Sequence, residues 1–208
     1  MKPRIIILLC LMACLQGAMA QNTVESIRQR YQSMKEYIST HTDQNLNDGA
    51  EFGEFYHLNV RQWLPATGGH LEDTYFYWGE VEDNEDLVYP DHYLEFVTTR
   101  YNFAARNYYE EYLYDADGNV AFIYAYNPMT AMEDGADDKE YEFRFYMNKG
   151  RLIKGIIMQK GYEQQTFKEE WQGTKLPAKY ADVYSGYMAS ANQLKELFVN
   201  IEKRSYSY

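Results

Sequence analysis

Hydrophobic residues change their spacing twice along this 208-residue chain, from helical spacing to strand alternation and back again. Thr23 is suited to the N-cap of a helix. The apolar residues after it recur at steps of three and four, which predicts one core-facing helical stripe. They are Val24, Ile27, Tyr31, Met34 and Ile38. The turn residues at 45–49, Asn-Leu-Asn-Asp-Gly, end this first helix.

A period of two takes over from about Glu54 to about Lys160. Tyr, Phe, Val and Thr dominate this region, and these residues suit a pleated, half-buried surface. Most segments alternate apolar with polar residues, whereas residues 75–81 are apolar on both faces. The pattern predicts an antiparallel meander of about six or seven strands.

Two hairpins are the clearest part of this meander. Residues 112–114 lead through the loop 115–119, Asp-Ala-Asp-Gly-Asn, into residues 120–126. Gly118 can adopt the positive φ that such a loop requires. Residues 141–147 turn at Asn-Lys-Gly (148–150) and return along 152–159. The polar, acidic stretch 127–138 between the hairpins is predicted to be a loop.

Helical spacing returns after Pro177, which is a residue favoured at the first position of a helix. The apolar stripe that follows runs from Tyr180 to Ile201 and predicts a long C-terminal helix. The element order is therefore helix, meander, helix. We predict an α+β fold in which both helices pack on one face of the sheet and leave the other face free of helices.

The two hairpins also carry a resemblance. Glu110–Tyr126 reads EEYLYDADGNVAFIYAY, and Glu142–Ile156 reads EFRFYMNKGRLIKGI. Each combines an aromatic strand, a Gly turn and a return strand, and the pair resembles the tandem hairpins of uncharacterised secreted bacterial proteins. Residues 114–119 are also similar to one unit of a YD repeat. The resemblance implies a structural signature and brings no known activity.

The first twenty residues have the parts of a secretory signal peptide. Lys2 and Arg4 form a positive start, residues 5–15 are apolar, and Ala18-Met19-Ala20 supplies the small residues of a cleavage site. The apolar run is too short to span a bilayer as a helix. We predict a signal peptide at 1–20, export to the periplasm or the extracellular space, and a single domain over 21–208.

Residues 11–14, Leu-Met-Ala-Cys, offer an alternative, because they resemble a lipoprotein cleavage box in which Cys14 becomes a lipid anchor. Met12 fits that box poorly, so cleavage after Ala20 is favoured. Cys10 and Cys14 are the two cysteines of the chain. Either cleavage leaves no protein disulfide, so the exported chain depends on its core.

The chain is acidic, with a formal net charge of −11 that becomes −13 once Lys2 and Arg4 are removed. Such a charge repels nucleic acid and anionic lipid. It keeps a secreted protein soluble, and it also suits a cationic partner or Ca²⁺. The loop 115–119 resembles the start of an EF-hand, but Val120 and Tyr126 stand where Gly and Glu are required. The acidic clusters at 83–86 and 133–138 are predicted to be solvated loops, and no metal site or cofactor is predicted.

Catalytic motifs are missing from the sequence. The four histidines do not form H-E-x-x-H, and neither G-x-S-x-G nor S-x-x-K occurs. There is no phosphate-binding Gly loop. Carboxylates are abundant, and the sequence does not single out one pair of them for hydrolysis. The sequence therefore favours a protein that is not an enzyme.

Tyrosine is the most unusual component, with 22 residues. Its apolar ring and polar tip suit both a half-exposed sheet face and a binding surface. We expect most of these rings to pack within the sheet and a few to contact a ligand. The predicted ligand-binding residues are Tyr75, Tyr77, Trp78, Tyr112, Tyr114 and Tyr124, with Tyr108 and Tyr126 beside them.

The leading functional hypothesis is a secreted or periplasmic, non-catalytic binding protein whose aromatic sheet face contacts a protein, a glycan or a cell-envelope component. An alternative is a carrier of an apolar ligand in a cavity between a curved sheet and the helices. That cavity would be lined by Phe122, Tyr124, Phe143, Phe145, Ile156 and Met158. A third hypothesis, a carboxylate-dependent hydrolase, requires two acids in one cleft and at least one raised pKa.

Overall fold

The computed structural model of this chain describes residues 23–41, 55–81, 91–129, 139–160 and 166–205. The first helix, α1, spans Val24–His41. Eight strands follow: β1 Phe55–Leu64, β2 Gly68–Glu80, β3 His92–Phe103, β4 Arg106–Tyr114, β5 Val120–Met129, β6 Lys139–Asn148, β7 Arg151–Lys160 and β8 Thr166–Gln172. A 3₁₀ helix, Ala178–Tyr180, leads into the second helix, α2, which spans Ala181–Ser205.

The strands form one antiparallel sheet in which each strand pairs with its neighbours in sequence. The predicted α+β fold and the meander are therefore confirmed. The sheet has eight strands in place of the six or seven predicted, and β8 is the additional one. Its pattern is weak because three consecutive charged residues, 168–170, separate Phe167 from Trp171, and Phe167 is half exposed. Trp171 holds β8 in place by lying directly over Gly155 of β7.

The two helices pack on opposite faces of the sheet, so the prediction that they share one face is wrong. Leu113 belongs to the cluster under α1, whereas Tyr112 and Tyr114 of the same strand belong to the cluster under α2. The physical reason is that the central strands are apolar at successive positions. Residues 120–123 are all buried, and a strand of this kind needs cover on both faces. Neither face is left free of a helix.

The first helix begins at a reciprocal cap. The Ser26 N–H donates to Thr23 Oγ1 at 3.1 Å, and the Thr23 N–H donates to Ser26 Oγ at 3.0 Å. This arrangement satisfies two of the backbone donors that a helix start leaves open, and it confirms Thr23 as the N-cap. Ile27 is fully buried against the sheet, and the remaining residues of the predicted stripe pack on the same cluster.

The loop 115–119 is a hairpin turn, as predicted. Asp115 Oδ1 accepts hydrogen bonds from the N–H groups of Asp117 and Asn119, at 3.1 and 2.8 Å. Gly118 has a φ of 74°, a conformation that glycine adopts without strain. The Gly118 carbonyl accepts from Lys195 Nζ of α2 at 2.6 Å. The Asp115 carboxylate therefore stabilises the turn itself.

The C-terminal helix follows Pro177, as the sequence predicts. Tyr187, Ala191 and Phe198 are its buried residues. The buried hydroxyl of Tyr114 donates to the Ala191 carbonyl at 2.7 Å, which fixes α2 against β4. Within the described part of the chain, none of the helices combines the length and the apolar character that a membrane crossing needs. The predicted signal peptide and both acidic clusters lie outside the described residues.

Candidate functional site

A concave surface lies beside α1, on the face of the sheet that α1 covers. Three adjoining pockets of about 590, 770 and 440 Å³ share Tyr109 and form one depression, which we call the α1 groove. The residues that matter for its chemistry are aromatic or charged. They are Arg28, Tyr31, Lys35, Asp73, Tyr75, Arg100, Tyr109, Glu111, Tyr124, Tyr126, Glu142 and Arg144.

Strand register explains why α1 covers one part of this face and leaves the groove open. Cross-strand partners form rows that run across the sheet. One row, from Tyr77 through Phe96, Leu113 and Phe122 to Tyr146, is apolar and lies under α1. The two adjacent rows carry charges and tyrosine hydroxyls. Because α1 presents apolar residues to the sheet, it packs on the apolar row and runs alongside the two polar rows.

The two polar rows form the floor of the groove. The first joins Asp73, Arg100, Tyr109, Tyr126 and Glu142, one residue from each of five consecutive strands. The second polar row lies two residues away from the first on each strand, on the side nearer the apolar row. It comprises Tyr75, Thr98, Glu111, Tyr124 and Arg144. Side chains in each row therefore stand next to one another at the ordinary spacing of strands, about 4.8 Å.

Glu111 is the buried centre of the groove, with a side chain that is 1% exposed. Its Oε2 accepts from the Tyr31 hydroxyl at 2.6 Å, and its Oε1 accepts from Lys35 Nζ and the Tyr109 hydroxyl, each at 2.5 Å. Burial and the neighbouring carboxylate raise the pKa of both phenols well above the usual value. Both tyrosines therefore stay protonated at neutral pH and act as donors.

Three arginines of the groove lie over tyrosine rings, and the guanidinium carbon of Arg28 is 5.5 Å from the centre of the Tyr146 ring. The guanidinium carbon of Arg100 is 4.9 Å from the centre of the Tyr109 ring, and that of Arg144 is 5.5 Å from the centre of the Tyr124 ring. Arg144 also donates to Glu142 at 2.8 Å. Such contacts hold a guanidinium in a fixed orientation. The groove therefore presents cations that are positioned before any ligand arrives.

The end of the groove at β1 and β2 carries further aromatic surface. The His57 ring stacks on Tyr75 with centres 4.2 Å apart. Trp63 is 80% exposed and Leu71, which lines the groove, is 55% exposed. Trp63 of β1 pairs with Gly69 of β2, and Leu71 is two residues from Gly69 on the same face of the sheet. The side chains of Trp63 and Leu71 are therefore diagonal neighbours, within about 8 Å of each other. An exposed indole thus extends the groove toward the edge of the sheet.

The six predicted ligand-binding residues are divided between the two faces. Tyr75 and Tyr124 line the α1 groove. Tyr77, Tyr112 and Tyr114 are at most 1% exposed and belong to the core, because continuous apolar strands bury both faces. Trp78 packs with its ring 3.7 Å from His92 in the cluster under α2. Of the two residues named beside them, Tyr126 lines the groove floor, and Tyr108 stacks on Tyr101, with ring centres 5.0 Å apart.

The residues predicted to line a carrier cavity do not share one. Phe143 and Phe145 lie in the cluster under α2, whereas Phe122, Tyr124, Ile156 and Met158 lie on the α1 face. Phe122, Phe143, Phe145 and Ile156 are buried in close packing. Their register, which places successive residues of one strand on opposite faces, prevents these six side chains from lining a common cavity.

A second, smaller pocket of about 390 Å³ lies under α2 and contains two acids, Glu72 and Glu110. We call it the α2 pocket. Glu110 is buried and accepts from the hydroxyls of Tyr101, at 2.7 Å, and Tyr112. Burial raises the pKa of Glu110, the tyrosine hydrogen bonds lower it, and the charge of Glu72 raises it; the net effect is upward. His70 Nε2 lies 3.8 Å from Glu72 Oε2.

Glu110 and Glu111 were missed at the level of the sequence, although a signal was available. They are adjacent acids in the middle of an aromatic strand, Tyr108–Tyr114, and a buried carboxylate there requires donors on each face. Arg100 and Tyr109 were missed because their importance arises from cross-strand register. In the described part of the chain, no group of three or more His, Cys, Asp or Glu side chains is arranged to hold a metal ion.

Comparison with protein-family models, with curated proteins and with solved structures finds no significant match to this chain.

Proposed function

We propose that this chain is an exported, non-catalytic binding protein and that the α1 groove holds its ligand. The observation that carries the proposal is the pair of polar rows beside α1, in which tyrosine rings stand beside charged side chains across five strands. Aromatic surface combined with a few oriented polar groups is the usual composition of a ligand site. The sequence of residues 1–20 supports export.

Two features favour binding over catalysis at the groove. The carboxylate of Glu111 is occupied on both oxygens by Tyr31, Lys35 and Tyr109. Glu142 is likewise engaged by Arg144, at 2.8 Å. Carboxylates that are held in this way orient their neighbours and are not placed to exchange protons with a substrate. The groove floor also spans five strands, which suits an extended ligand such as a glycan or a cell-envelope polymer.

An array of oligosaccharides, peptidoglycan fragments and peptides tests the proposal. We expect the purified protein to bind one class, and Tyr126→Ala to weaken that binding by about tenfold or more, because Tyr126 contributes ring surface to the floor. Tyr180→Ala is the matched control, since it also removes a half-buried ring but lies outside the groove. No binding by the wild type, or equal loss in both variants, would refute the proposal.

A carboxylate-dependent hydrolase is the second candidate, and the α2 pocket is the observation in its favour. It combines two acids, Glu72 and Glu110, with a raised pKa for Glu110, although both oxygens of Glu110 accept from tyrosine hydroxyls. Fluorogenic glycosides test it: an enzyme of this kind loses turnover in Glu72→Gln and in Glu110→Gln alike. Absence of turnover by the wild type would eliminate this candidate and leave the binding proposal in place.

A further inference from the structure

We propose that the ligand of the α1 groove is an oligosaccharide that carries carboxylates, an oligouronate, and that Arg100 recognises the carboxylate. The inference rests on the proposed binding function and names its ligand class. It is carried by three observations: the charges of the groove, the orientation of Arg100, and the position of the groove in the middle of the sheet.

The charges of the groove differ from those of the whole chain, in which 31 acids outnumber 20 bases. The groove is lined by four basic residues, Arg28, Lys35, Arg100 and Arg144, against the three acids Asp73, Glu111 and Glu142. Lys35 pairs with Glu111, and Arg144 pairs with Glu142. Arg28, Arg100 and Asp73 remain, so the lining has a net charge of +1 on an otherwise acidic protein.

Arg28 and Arg100 have no carboxylate oxygen within 4.0 Å in the described ranges of the chain. Asp73 is the cross-strand partner of Arg100, but its Oδ1 accepts from His57 Nε2 at 3.0 Å and from Asn59 Nδ2 at 2.7 Å. These two bonds direct the Asp73 carboxylate toward β1. Arg100 therefore lines the groove with a guanidinium that is not committed to an ion pair there.

The orientation of Arg100 suits a carboxylate. Its guanidinium lies over the Tyr109 ring, and the Tyr109 hydroxyl is fixed by Glu111. The Arg100 guanidinium also interacts with the Tyr109 hydroxyl, and its other N–H donors can bind a planar anion. Since Tyr109 is already held in place, little conformational entropy is lost when a carboxylate binds.

The floor beside Arg100 suits sugar rings. Tyr109 and Tyr126 follow Arg100 in the same row, on the next two strands, so Tyr126 stands about 10 Å from Arg100. The pocket between them has a volume of about 770 Å³. The negative face of a tyrosine ring attracts the weakly positive C–H groups of a sugar face. A ligand of linked rings can place one ring over Tyr126 and a carboxylate on Arg100.

The position of the groove argues against an acidic peptide as the ligand. An extended peptide gains most of its affinity by adding a strand to a sheet edge, where backbone groups are unpaired. The polar rows cross β3, β4 and β5, whose backbone groups already pair on both sides. An oligosaccharide needs no backbone partner, because its hydroxyls bond to side chains.

Paired ligands test the inference. The probes are oligomers of galacturonate, glucuronate and mannuronate, each compared by calorimetry with the same oligomer after its carboxylates have been reduced to alcohols. We expect at least one oligouronate to bind about tenfold more tightly than its reduced form. Arg100→Gln removes that preference. Arg151→Gln is the matched control, because it removes the same charge from an exposed turn on another strand, and it retains the preference.

The outcomes separate the inference from the function on which it rests. If an oligouronate and its reduced form bind equally, or if Arg100→Gln keeps the preference, the inference is overturned while groove binding stands. If no oligouronate binds but a glutamate-rich peptide binds in a Tyr126-dependent manner, the proposed ligand class is wrong and the proposed binding site is correct. If no ligand on the array binds in a Tyr126-dependent manner, both proposals fail.

Discussion

The Tyr31 hydroxyl donates to Glu111 Oε2 at 2.6 Å and joins α1 to β4 across 80 residues of sequence. Lys35, one turn further along α1, binds the other carboxylate oxygen. A charged carboxylate as deeply buried as Glu111 is stable only when donors satisfy both oxygens. The first helix is therefore held to the sheet by a polar anchor in addition to its apolar stripe, and the same anchor forms the centre of the α1 groove.

The anchor gives the first prediction. Tyr31→Phe removes one donor from a buried carboxylate and keeps the ring, so we expect the free energy of unfolding to fall by about 1–3 kcal/mol. Urea denaturation measures the loss. A double-mutant cycle with Glu111→Gln should show a coupling energy of about 0.5–3 kcal/mol. Simple additivity of the two single variants would mean that the hydrogen bond does not stabilise the fold.

A second prediction concerns the contact that holds β8. A Cβ atom on Gly155 would lie 2.1 Å from the Trp171 ring, so Gly155→Ala must displace the indole. We expect destabilisation of roughly 1–3 kcal/mol in urea denaturation. Gly69→Ala is the control, because Gly69 is also a strand residue but has no atom within 4 Å of an added Cβ. If the two substitutions destabilise the protein equally, the loss of stability comes from the change in backbone freedom and not from the contact with the indole.

The third prediction is a pH dependence of stability caused by Glu110. Burial raises its pKa above the usual 4.5, so the folded protein binds this proton more tightly than the unfolded chain does. The associated stability is fully present below pH 4.5 and is lost as the pH rises through the pKa of the folded state. In Glu110→Gln this loss is absent. Urea denaturation of the wild type, of Glu110→Gln and of the exposed control Glu196→Gln, at several pH values between 4 and 8, measures this loss of stability.

The direction of this effect is the informative part. If the wild type gains stability relative to Glu110→Gln as the pH rises from 4.5, the hydrogen bonds from Tyr101 and Tyr112 outweigh the burial of the charge. In that case Glu110 is an ordinary structural carboxylate. The hydrolase candidate then loses the raised pKa on which it depends.

A fourth prediction addresses export. Expression in a Gram-negative host should give a mature protein that begins at Gln21, as measured by intact mass. Cys14→Ser should leave that mass and the soluble yield unchanged, and palmitate should not label the wild type. A labelled protein that loses its label in Cys14→Ser would establish the lipid anchor at Cys14 instead.

Comparison of the predicted and observed elements shows where local information is sufficient. Thr23 and the stripe after it specify α1 because caps and helical periodicity act within a few residues. The loop 115–119 specifies its hairpin because Asp115 and Gly118 satisfy the turn locally. The strand β8 escapes prediction because its apolar pattern is weak, and its place depends on pairing with β7 and on the contact between Trp171 and Gly155.

The sequence by itself determined the helix–meander–helix order, the two hairpins and the tyrosine-rich composition, because propensity, capping and turn chemistry are short-range effects. Only the tertiary structure decided which face each helix covers and which tyrosines remain accessible. A shift of one residue moves a side chain to the other face of a sheet. Tyr112 is therefore core, while Tyr109, three residues earlier, stands between Arg100 and Tyr126 on the opposite face as part of the groove.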